Sequence, residues 1–396
     1  MSSLEVYLDN AATTRPRDEV IEVVLEMLKN EYGNPSSLHR KGLIVEKKIK
    51  KSRKIISNFL NVLPEEIFFT SGGTESNNMS IQGIVNKYGK NKKHLITTKI
   101  EHPSVLNIFK YYETQGYDVT YLNVDEYGYL NLEQLERELN SDTVLVSIMM
   151  VNNETGSIQP VEEIVEIVHA KSDAKIHIDG IQAVGKLNLD ISRLKVDALS
   201  FSGHKFYGPK GIGGLYIKRN LNINPIYKGS GQENHMRPGT ENTPGIVGMA
   251  KALECIDLEM NTQIEHLKQL KNHLIERFTK ELERIKINSK IDETSAPHIV
   301  NISFDGIMGE VFLHYLEGSN VYVSTGSACS SKNKGGSHVL KAMGFSDKEI
   351  DSSIRISFSK YNTIEEIDYA VDEMIKVVKE IRKIMKRWRN EASNRC

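Results

Sequence analysis

Short apolar runs alternate with amphipathic helical segments between residues 60 and about 219 of the chain. The runs are often β-branched and are bounded by glycine, asparagine or proline, which is typical of strands buried in a sheet. The strand-like runs are 67–70, 94–98, 119–123, 143–151, 175–178, 198–202 and 214–217. The helical segments between them are 75–88, 103–115, 132–139 and 161–170. The alternation predicts an α/β fold with a mostly parallel central sheet and helices on both faces.

The last third of the chain has a different pattern. Two long helical segments, at about 243–284 with a break expected near Asn261 and at 364–389, enclose short strand-like pieces at 299–304, 321–325 and 354–358. This mixture predicts a smaller α+β domain. In a chain of 396 residues we expect a large domain at 15–257 and a small domain formed by 1–14 and 258–396.

Composition excludes several classes of protein. Hydrophobic residues make up 39% and charged residues 26%, which is typical of a globular and not of a disordered chain. The 51 basic residues nearly balance the 52 acidic ones, which argues against direct nucleic-acid binding. Three cysteines are too few for a disulfide framework and fit a reducing compartment. Without a signal-peptide pattern or an apolar run of roughly 20 residues, we expect a cytoplasmic protein without membrane contact.

Loops that directly follow predicted strands are the places to search for chemistry, because ligands gather at the carboxyl ends of parallel strands. The first such loop, residues 70–78, turns on two glycines and opens a helix. Backbone N–H groups there bind anions, and Thr74 adds a hydroxyl. The loop fits neither the Walker nor the dinucleotide pattern. A helix cap without a ligand explains it equally well.

Two further loops carry side chains with two interpretations. His102 precedes a helix opened by Pro103, where an imidazole can stack on a flat cofactor or carry a proton. An ordinary hydrogen-bonded histidine at a helix start is the simpler interpretation. Asn153 can donate to a ligand oxygen, although turn chemistry explains an asparagine there equally well.

The remaining two loops complete a set of groups that fits one cofactor. Asp179, with Gln182 three residues later, suits a cationic heteroatom and a neighbouring oxygen, and a capping aspartate is the alternative. Lys205 lies in a glycine-rich and aromatic turn beside Ser202 and His204, and a lysine in a packed site can form a Schiff base. An acid, a reactive lysine, a stacking ring and a phosphate cradle are what pyridoxal phosphate requires.

The sequence resembles the class V aminotransferase-like family, and within it the cysteine desulfurases of the NifS/IscS type. The matching motifs run almost from end to end, and they include Ser-Gly-His-Lys at 202–205, Arg-Pro-Gly-Thr-Glu-Asn at 237–242 and Gly-Ser-Ala-Cys at 326–329. The others are 7–14, 33–39, 70–78, 101–103, 152–156, 179–182 and 353–357. The resemblance implies a two-domain fold type I enzyme that uses pyridoxal 5′-phosphate and acts as a homodimer.

The resemblance also implies roles around the cofactor ring. Lys205 would hold the cofactor as a Schiff base and later move the Cα proton of the substrate. Asp179 would keep the pyridine nitrogen protonated. Gln182 and Asn153 would contact the phenolic oxygen. His102 would stack on the ring and exchange a proton with the substrate thiol.

Phosphate and substrate have their own implied residues. The phosphate would be bound by Gly73, Thr74, Ser202 and His204, and Thr240 would reach the phosphate of the partner subunit. Arg355 would take the substrate carboxylate in a bidentate pair, with Asn153 beside it. No metal site is expected.

Cys329 indicates the reaction. Its neighbours are small and polar, and glycines lie near it, which predicts an exposed loop where a thiolate is usable; Lys332 and Lys334 would favour that thiolate. The resemblance implies that Cys329 attacks the sulfur of L-cysteine, releases alanine and keeps a persulfide for an acceptor. Cys255 is expected in the core, and Cys396 without a role.

Some questions stay open at the level of sequence. Residues 330–336 are basic and glycine-rich and lack the proline that relatives often have, so the sulfur acceptor, an iron–sulfur scaffold or a tRNA- or cofactor-thiolation enzyme, is undetermined. Pro238 also departs from the usual small residue. An aminotransferase, a selenocysteine lyase and a non-catalytic sulfur carrier or scaffold are the alternatives. The basic segments 47–54 and 376–389 indicate solvated helix faces more than docking sites for a partner.

Overall fold

The computed structural model describes residues 4–326 and 336–393, with side chains as far as residue 386. Within these residues the strands are β1 Val6–Tyr7, β2 Ile67–Thr70, β3 His94–Thr98, β4 Asp118–Leu122, β5 Thr143–Met149, β6 Lys175–Asp179, β7 Ala198–Ser202, β8 Gly213–Ile217, β9 Ile285–Ile287, β10 Ile299–Phe304, β11 Val321–Tyr322 and β12 Ser353–Ser357. The helices are α1 Asp18–Lys29, α2 Arg40–Leu60, α3 Gly73–Tyr88, α4 Pro103–Thr114, α5 Leu132–Glu138, α6 Val161–Lys171, α7 Ile191–Leu194, α8 Thr243–Glu281, α9 Gly309–Glu317, α10 His338–Ala342, α11 Asp347–Asp351 and α12 Ile364–Ser393. None of the helices described has the length and apolar character that a membrane crossing needs.

Seven strands form the central sheet in the order β2-β8-β7-β6-β5-β3-β4. Only β8 runs antiparallel to its neighbours, and the other paired strands of this sheet are parallel. The predicted α/β class with a mostly parallel sheet is therefore confirmed. Because β2 and β7 both run opposite to β8, the carboxyl ends of β2, β3, β5, β6 and β7 lie at one edge of the sheet.

Both faces of this sheet are buried. Neighbouring residues of a strand point to opposite faces, so Leu95 belongs to the buried cluster that includes α3 and α4, while Ile96 belongs to the cluster that includes α2, α6 and α8. In β2, Phe68 belongs to the same cluster as Leu95, and Phe69 belongs to the same cluster as Ile96. The strands consequently read as continuous apolar runs rather than as alternating ones.

A second core surrounds the antiparallel sheet β9-β10-β12. It is built from that sheet, the C-terminal part of α8, α9 and α12. β1 pairs in parallel with β11, so the N-terminal strand joins this second core and not the first. The division into 15–257 and 1–14 with 258–396 stays a proposal, which this separate core supports.

The expected break near Asn261 is wrong, because α8 continues without interruption from Thr243 to Glu281. Its buried residues Ile256, Met260 and Leu267 keep the helical spacing across that point. Asn261 lies on the exposed side, where its Oδ1 accepts a hydrogen bond from Asn188 at 3.1 Å. An asparagine at an exposed helix position costs under about 1 kcal/mol, too little to end a helix that spans two cores.

Candidate active site

The strand ends at the carboxyl edge of the central sheet enclose a cavity of about 280 Å³. Its walls come from loops after β2, β3, β5, β6 and β7, from the N-terminal segment at Ala11 and Ala12, and from β12. The predicted site residues that line it are Gly73, Thr74, His102, Asn153, Asp179, Gln182, Ser202, His204, Lys205 and Arg355. The fold thus gathers predicted site residues that the sequence separates by up to 282 positions, from Gly73 to Arg355.

Lys205 ends a short helical turn, Gly203–Lys205, that directly follows β7. Its Nζ donates hydrogen bonds to the carbonyl oxygens of Ala11 at 2.7 Å and Ala12 at 2.8 Å. These two contacts hold the amine at the cavity wall and connect the N-terminal segment to the central sheet.

Asp179 is the last residue of β6 and is almost fully buried. Its Oδ2 accepts from Asn77 Nδ2 at 2.9 Å, and its Oδ1 accepts from the Ile181 N–H at 3.1 Å. Burial raises the pKa of this carboxyl, although the two hydrogen bonds oppose that effect. A protonated ring nitrogen beside Asp179 would stabilise its charge. Gln182 Nε2 donates to the Ala11 carbonyl at 2.9 Å.

His102 caps the N-terminus of α4 through its ring. Nδ1 lies 3.1 Å from the Ser104 backbone nitrogen and 2.7 Å from Ser104 Oγ, so a neutral ring can accept from the N–H or donate to the hydroxyl. Burial lowers the pKa of His102, which keeps the ring neutral near pH 7. Asn77 donates to both Ser104 Oγ at 3.0 Å and Asp179 Oδ2, so one amide links the cap of His102 to the buried acid.

The start of α3 provides an anion cradle. A Cβ added to Gly73, its first residue, would lie 2.2 Å from Ile181 Cδ1, so a larger residue there would displace the Ile181 side chain. Thr74 and Ser202 bring hydroxyls to the same cavity. Burial lowers the pKa of His204 to about 4, so this ring is neutral and can donate or accept. Helix N–H groups, hydroxyls and a neutral imidazole suit a phosphate group.

Arg355 brings a positive charge from β12 to the cavity. It is 3% exposed, donates from one terminal nitrogen to the Asn153 carbonyl at 2.9 Å, and forms an ion pair with Asp9 at 2.5 Å. Its Nε has no partner among the residues described. A buried guanidinium with donors remaining fits a carboxylate ligand.

Three residues at or behind the cavity wall carry chemistry that sequence reasoning missed. Glu101 is fully buried, its Oε1 accepts from the Met149 N–H at 2.9 Å, and burial raises its pKa to about 8. Glu154 accepts from Ser337 Oγ at 2.5 Å, and His338 Nε2 donates to the Glu101 carbonyl at 2.9 Å. Glu101 and Glu154 lie inside recognised motifs, whereas no sequence signal singled out His338.

Other predicted residues are not in this cavity. Thr240 is exposed and does not line the cavity of its own chain. Cys255 is half-buried in α8 and less enclosed than the expected core position. Cys329, Lys332, Lys334 and Cys396 lie outside the residues that the structure describes.

Comparisons with known proteins agree in family and fold. Residues 6–370 match the family Aminotransferase class-V. A relative from Dictyoglomus turgidum, named cysteine desulfurase IscS, is 42% identical over 380 residues, which is 96% of both chains. A solved NifS-like protein superimposes with a TM-score of 0.90 at 39% identity, covering 95% of this chain and 100% of that one. The structure titled SspA in complex with cysteine has a TM-score of 0.80 at 35% identity, covering 90% and 100%.

Proposed function

Since the chain belongs to the class V aminotransferase family, whose cofactor is pyridoxal 5′-phosphate, we propose that it is a cysteine desulfurase. In this reaction L-cysteine becomes L-alanine, and its sulfur passes through Cys329 to an acceptor. The observation that carries the proposal is that Lys205, Asp179, His102 and Arg355 share one cavity. The names of the relatives and the cysteine bound by a structural neighbour support the same substrate.

The residues present fit the cofactor. A buried carboxylate, the glycine that begins a helix and a lysine amine lie around one cavity. The residues proposed to hold the cofactor are Gly73, Thr74, Asn153, Asp179, Gln182, Ser202, His204 and Lys205, with Thr240 supplied by the partner subunit. When bound, the cofactor supplies an electron sink for negative charge at the substrate Cα.

Three side chains of the chain itself would then act on the substrate. Arg355 binds the substrate carboxylate and orients the amino acid. Lys205 Nζ takes the proton from Cα and returns a proton later. In the tautomer whose Nδ1–H donates to Ser104 Oγ, at 2.7 Å, Nε2 has the free lone pair, and His102 would take the thiol proton there.

Cys329 would complete the sulfur transfer. Its thiolate forms a bond to the substrate sulfur while the Cβ–S bond breaks, and the electron pair of that bond stays with the carbon fragment. A proton added at Cβ completes alanine, and Cys329 keeps a persulfide. A thiol of the acceptor then takes the outer sulfur and restores the Cys329 thiolate.

The direct test incubates the cofactor-loaded protein with L-cysteine and a thiol reductant and measures products. Alanine and sulfide in equal amounts are expected. In a parallel reaction with a dicarboxylic keto acid added as amino acceptor, a sulfur-containing keto acid in place of alanine would indicate aminotransfer. No turnover by a fully loaded protein would indicate a non-catalytic carrier. Either result contradicts the proposal.

Replacing Arg355 by glutamine is expected to raise KM for L-cysteine by about 30- to 100-fold, because a charged pair with the substrate carboxylate is lost. The variant should also discriminate less between L-cysteine and cysteamine, which lacks the carboxylate. Steady-state kinetics with both substrates measures this. Arg219→Gln, at an exposed arginine, is the control that should leave KM unchanged. An unchanged preference for L-cysteine in Arg355→Gln would contradict the assignment.

The lowered pKa of His102 predicts the acid side of the pH profile. A base with a lowered pKa stays neutral to lower pH, so kcat/KM should hold down through about 6.5, the ordinary histidine pKa, and fall only below it. A pH–rate profile measures the limb, and His102→Gln should remove it. A limb above about 6.5 that His102→Gln leaves in place would count against this role.

We further propose a homodimer. Ile21, Leu25 and Leu28 project from one face of α1 and are exposed, and Leu38 nearby in sequence is 94% exposed. Apolar side chains grouped in this way are typical of protein interfaces. An interface is also required if Thr240, exposed on its own chain, is to contact a cofactor.

The acceptor is proposed to be a protein of iron–sulfur cluster assembly or a thiolation enzyme, and the location to be cytoplasmic. The acceptor's identity depends on surfaces of a second protein. Co-purification, followed by transfer of labelled sulfur from cysteine to the recovered protein, would identify it.

A further inference from the structure

The loop between β8 and α8 contains an unusual turn shortly before Thr240. Three successive residues, Glu233, Asn234 and His235, have φ values of 46°, 53° and 64°. Residues with a Cβ rarely adopt this left-handed conformation, and several in sequence persist only where surrounding contacts hold them. The contacts that hold this loop in the left-handed conformation are therefore the evidence for its role.

The first anchor of the loop is buried Glu233. Its two carboxylate oxygens accept from the Arg53 guanidinium at 2.6 and 2.9 Å, and Oε2 also accepts from the Phe69 N–H at 2.8 Å. The Arg53 guanidinium lies 4.5 Å from the centre of the Phe69 ring. The loop is thus fixed to β2, the strand that leads into the anion cradle.

The second anchor joins the loop directly to α3. Arg237 Nε donates to Glu75 Oε1 at 3.1 Å, and Glu75 Oε2 accepts from the Ser71 N–H. Burial alone would raise the pKa of Glu75, but the hydrogen bonds from Ser71 and Arg237 outweigh it and hold the pKa below its usual value. Glu75 is therefore an anion shared between the cradle segment and the loop.

The two residues of the ion pair, Glu75 and Arg237, belong to different parts of the structure. Glu75 directly follows Gly73 and Thr74, which belong to the cavity of its own chain. Arg237 lies three residues before Thr240, which is exposed and outside that cavity. Glu75, beside the anion cradle, therefore pairs with a loop whose residue Thr240 does not line the cavity of the same chain.

We propose that Glu75 is a positioning residue for the partner subunit's cofactor site, acting through Arg237 on the loop that carries Thr240. The inference rests on the proposed homodimer and on Thr240 acting across it. Through this ion pair, the cradle of one subunit is linked mechanically to the phosphate site of the other.

Glu75→Gln separates this role from a local one. The glutamine oxygen can still accept from the Ser71 N–H at the start of α3, whereas its neutral amide loses the charge that pairs with Arg237. A purely local role of Glu75 would affect the cofactor of the same subunit. The proposed role affects the cofactor of the other subunit.

Hybrid dimers, made by co-expressing two differently tagged chains, distinguish the two roles. One chain keeps Lys205 and the other carries Lys205→Ala, so borohydride reduction fixes the cofactor at one site only and intact mass counts it. Glu75→Gln is placed in either chain, and cofactor affinity is measured by titration. We expect about tenfold weaker binding when Glu75→Gln lies in the Lys205→Ala chain, and little change when it lies in the other.

Further variants test whether the change in cofactor affinity comes from the Glu75–Arg237 ion pair. Arg237→Gln should give the same pattern, and the double variant should be no weaker than either single one, because both remove one ion pair. The control is Glu65→Gln, which removes an exposed partner of Arg219 at 3.8 Å, and it should have no effect in either chain. Cofactor binding that weakens only when Glu75→Gln lies in the chain that keeps Lys205, or that is unchanged in both hybrids, would overturn the inference. Neither result would contradict the proposed homodimer. Single-tag chains that elute as monomers would contradict the proposed homodimer itself.

Discussion

Alanine in place of Lys205 is expected to lower kcat for desulfuration of L-cysteine by about 10⁴-fold, the largest effect of any single substitution in the cavity. The amine is the group proposed to take the Cα proton, and the carbonyls of Ala11 and Ala12 hold it at the cavity wall. Initial rates of alanine formation measure the loss.

Two comparisons make this prediction specific. Lys210→Ala removes an exposed lysine from the same glycine-rich turn and should leave the rate within about twofold of the original. A small primary amine added to Lys205→Ala should restore part of the rate, because it can carry the missing proton. Turnover by Lys205→Ala at more than a tenth of the original rate would contradict the assigned role.

Serine in place of Cys329 is expected to lower the formation of alanine and sulfide from L-cysteine by at least about 10³-fold, because a hydroxyl is a far weaker nucleophile than a thiolate. Cofactor binding should be retained, since Cys329 is not among the residues proposed to hold the cofactor. Mass spectrometry after reaction with labelled cysteine should find one added sulfur atom on the peptide of residue 329, and none in the variant.

Cys255→Ser is the matched control, because Cys255 is a cysteine of the same chain held within α8. Its substitution should leave both the rate and the persulfide unchanged. Added sulfur on Cys255 instead of Cys329, or an undiminished rate of sulfide release in Cys329→Ser, would show that another route releases the sulfur.

Local patterns predicted the elements of the central sheet well. The bounds expected at 67–70, 94–98 and 198–202 are those of β2, β3 and β7. These strands are short apolar runs with turn residues at their ends, so chain-local signals suffice. The break expected in α8 was wrong, because a single exposed asparagine is a weak signal beside apolar spacing that serves two cores. Strand β11 is also shorter than the expected 321–325, since it pairs only with the two residues of β1.

Some residues of the candidate site could likewise be predicted from the sequence, whereas others could not. Lys205, Asp179 and His102 were identifiable because each follows a strand within a recognised motif. Asn77 stood in a motif without an assigned role, yet its amide connects Asp179 to the cap of His102. The link between Glu75 and Arg237 joins residues 162 positions apart and has no signature in either segment.

The sequence by itself determined the α/β class, the strand ends that carry chemistry and the resemblance that indicates a pyridoxal-phosphate enzyme, because these depend on side-chain periodicity and on motifs within a few residues. Only the tertiary structure decided which strand ends share a cavity, that Arg355 from β12 enters it, and that burial raises the pKa of Asp179 and lowers that of His102. Distances between remote residues and the removal of water from a charged group arise from packing, and packing exists only in the folded chain.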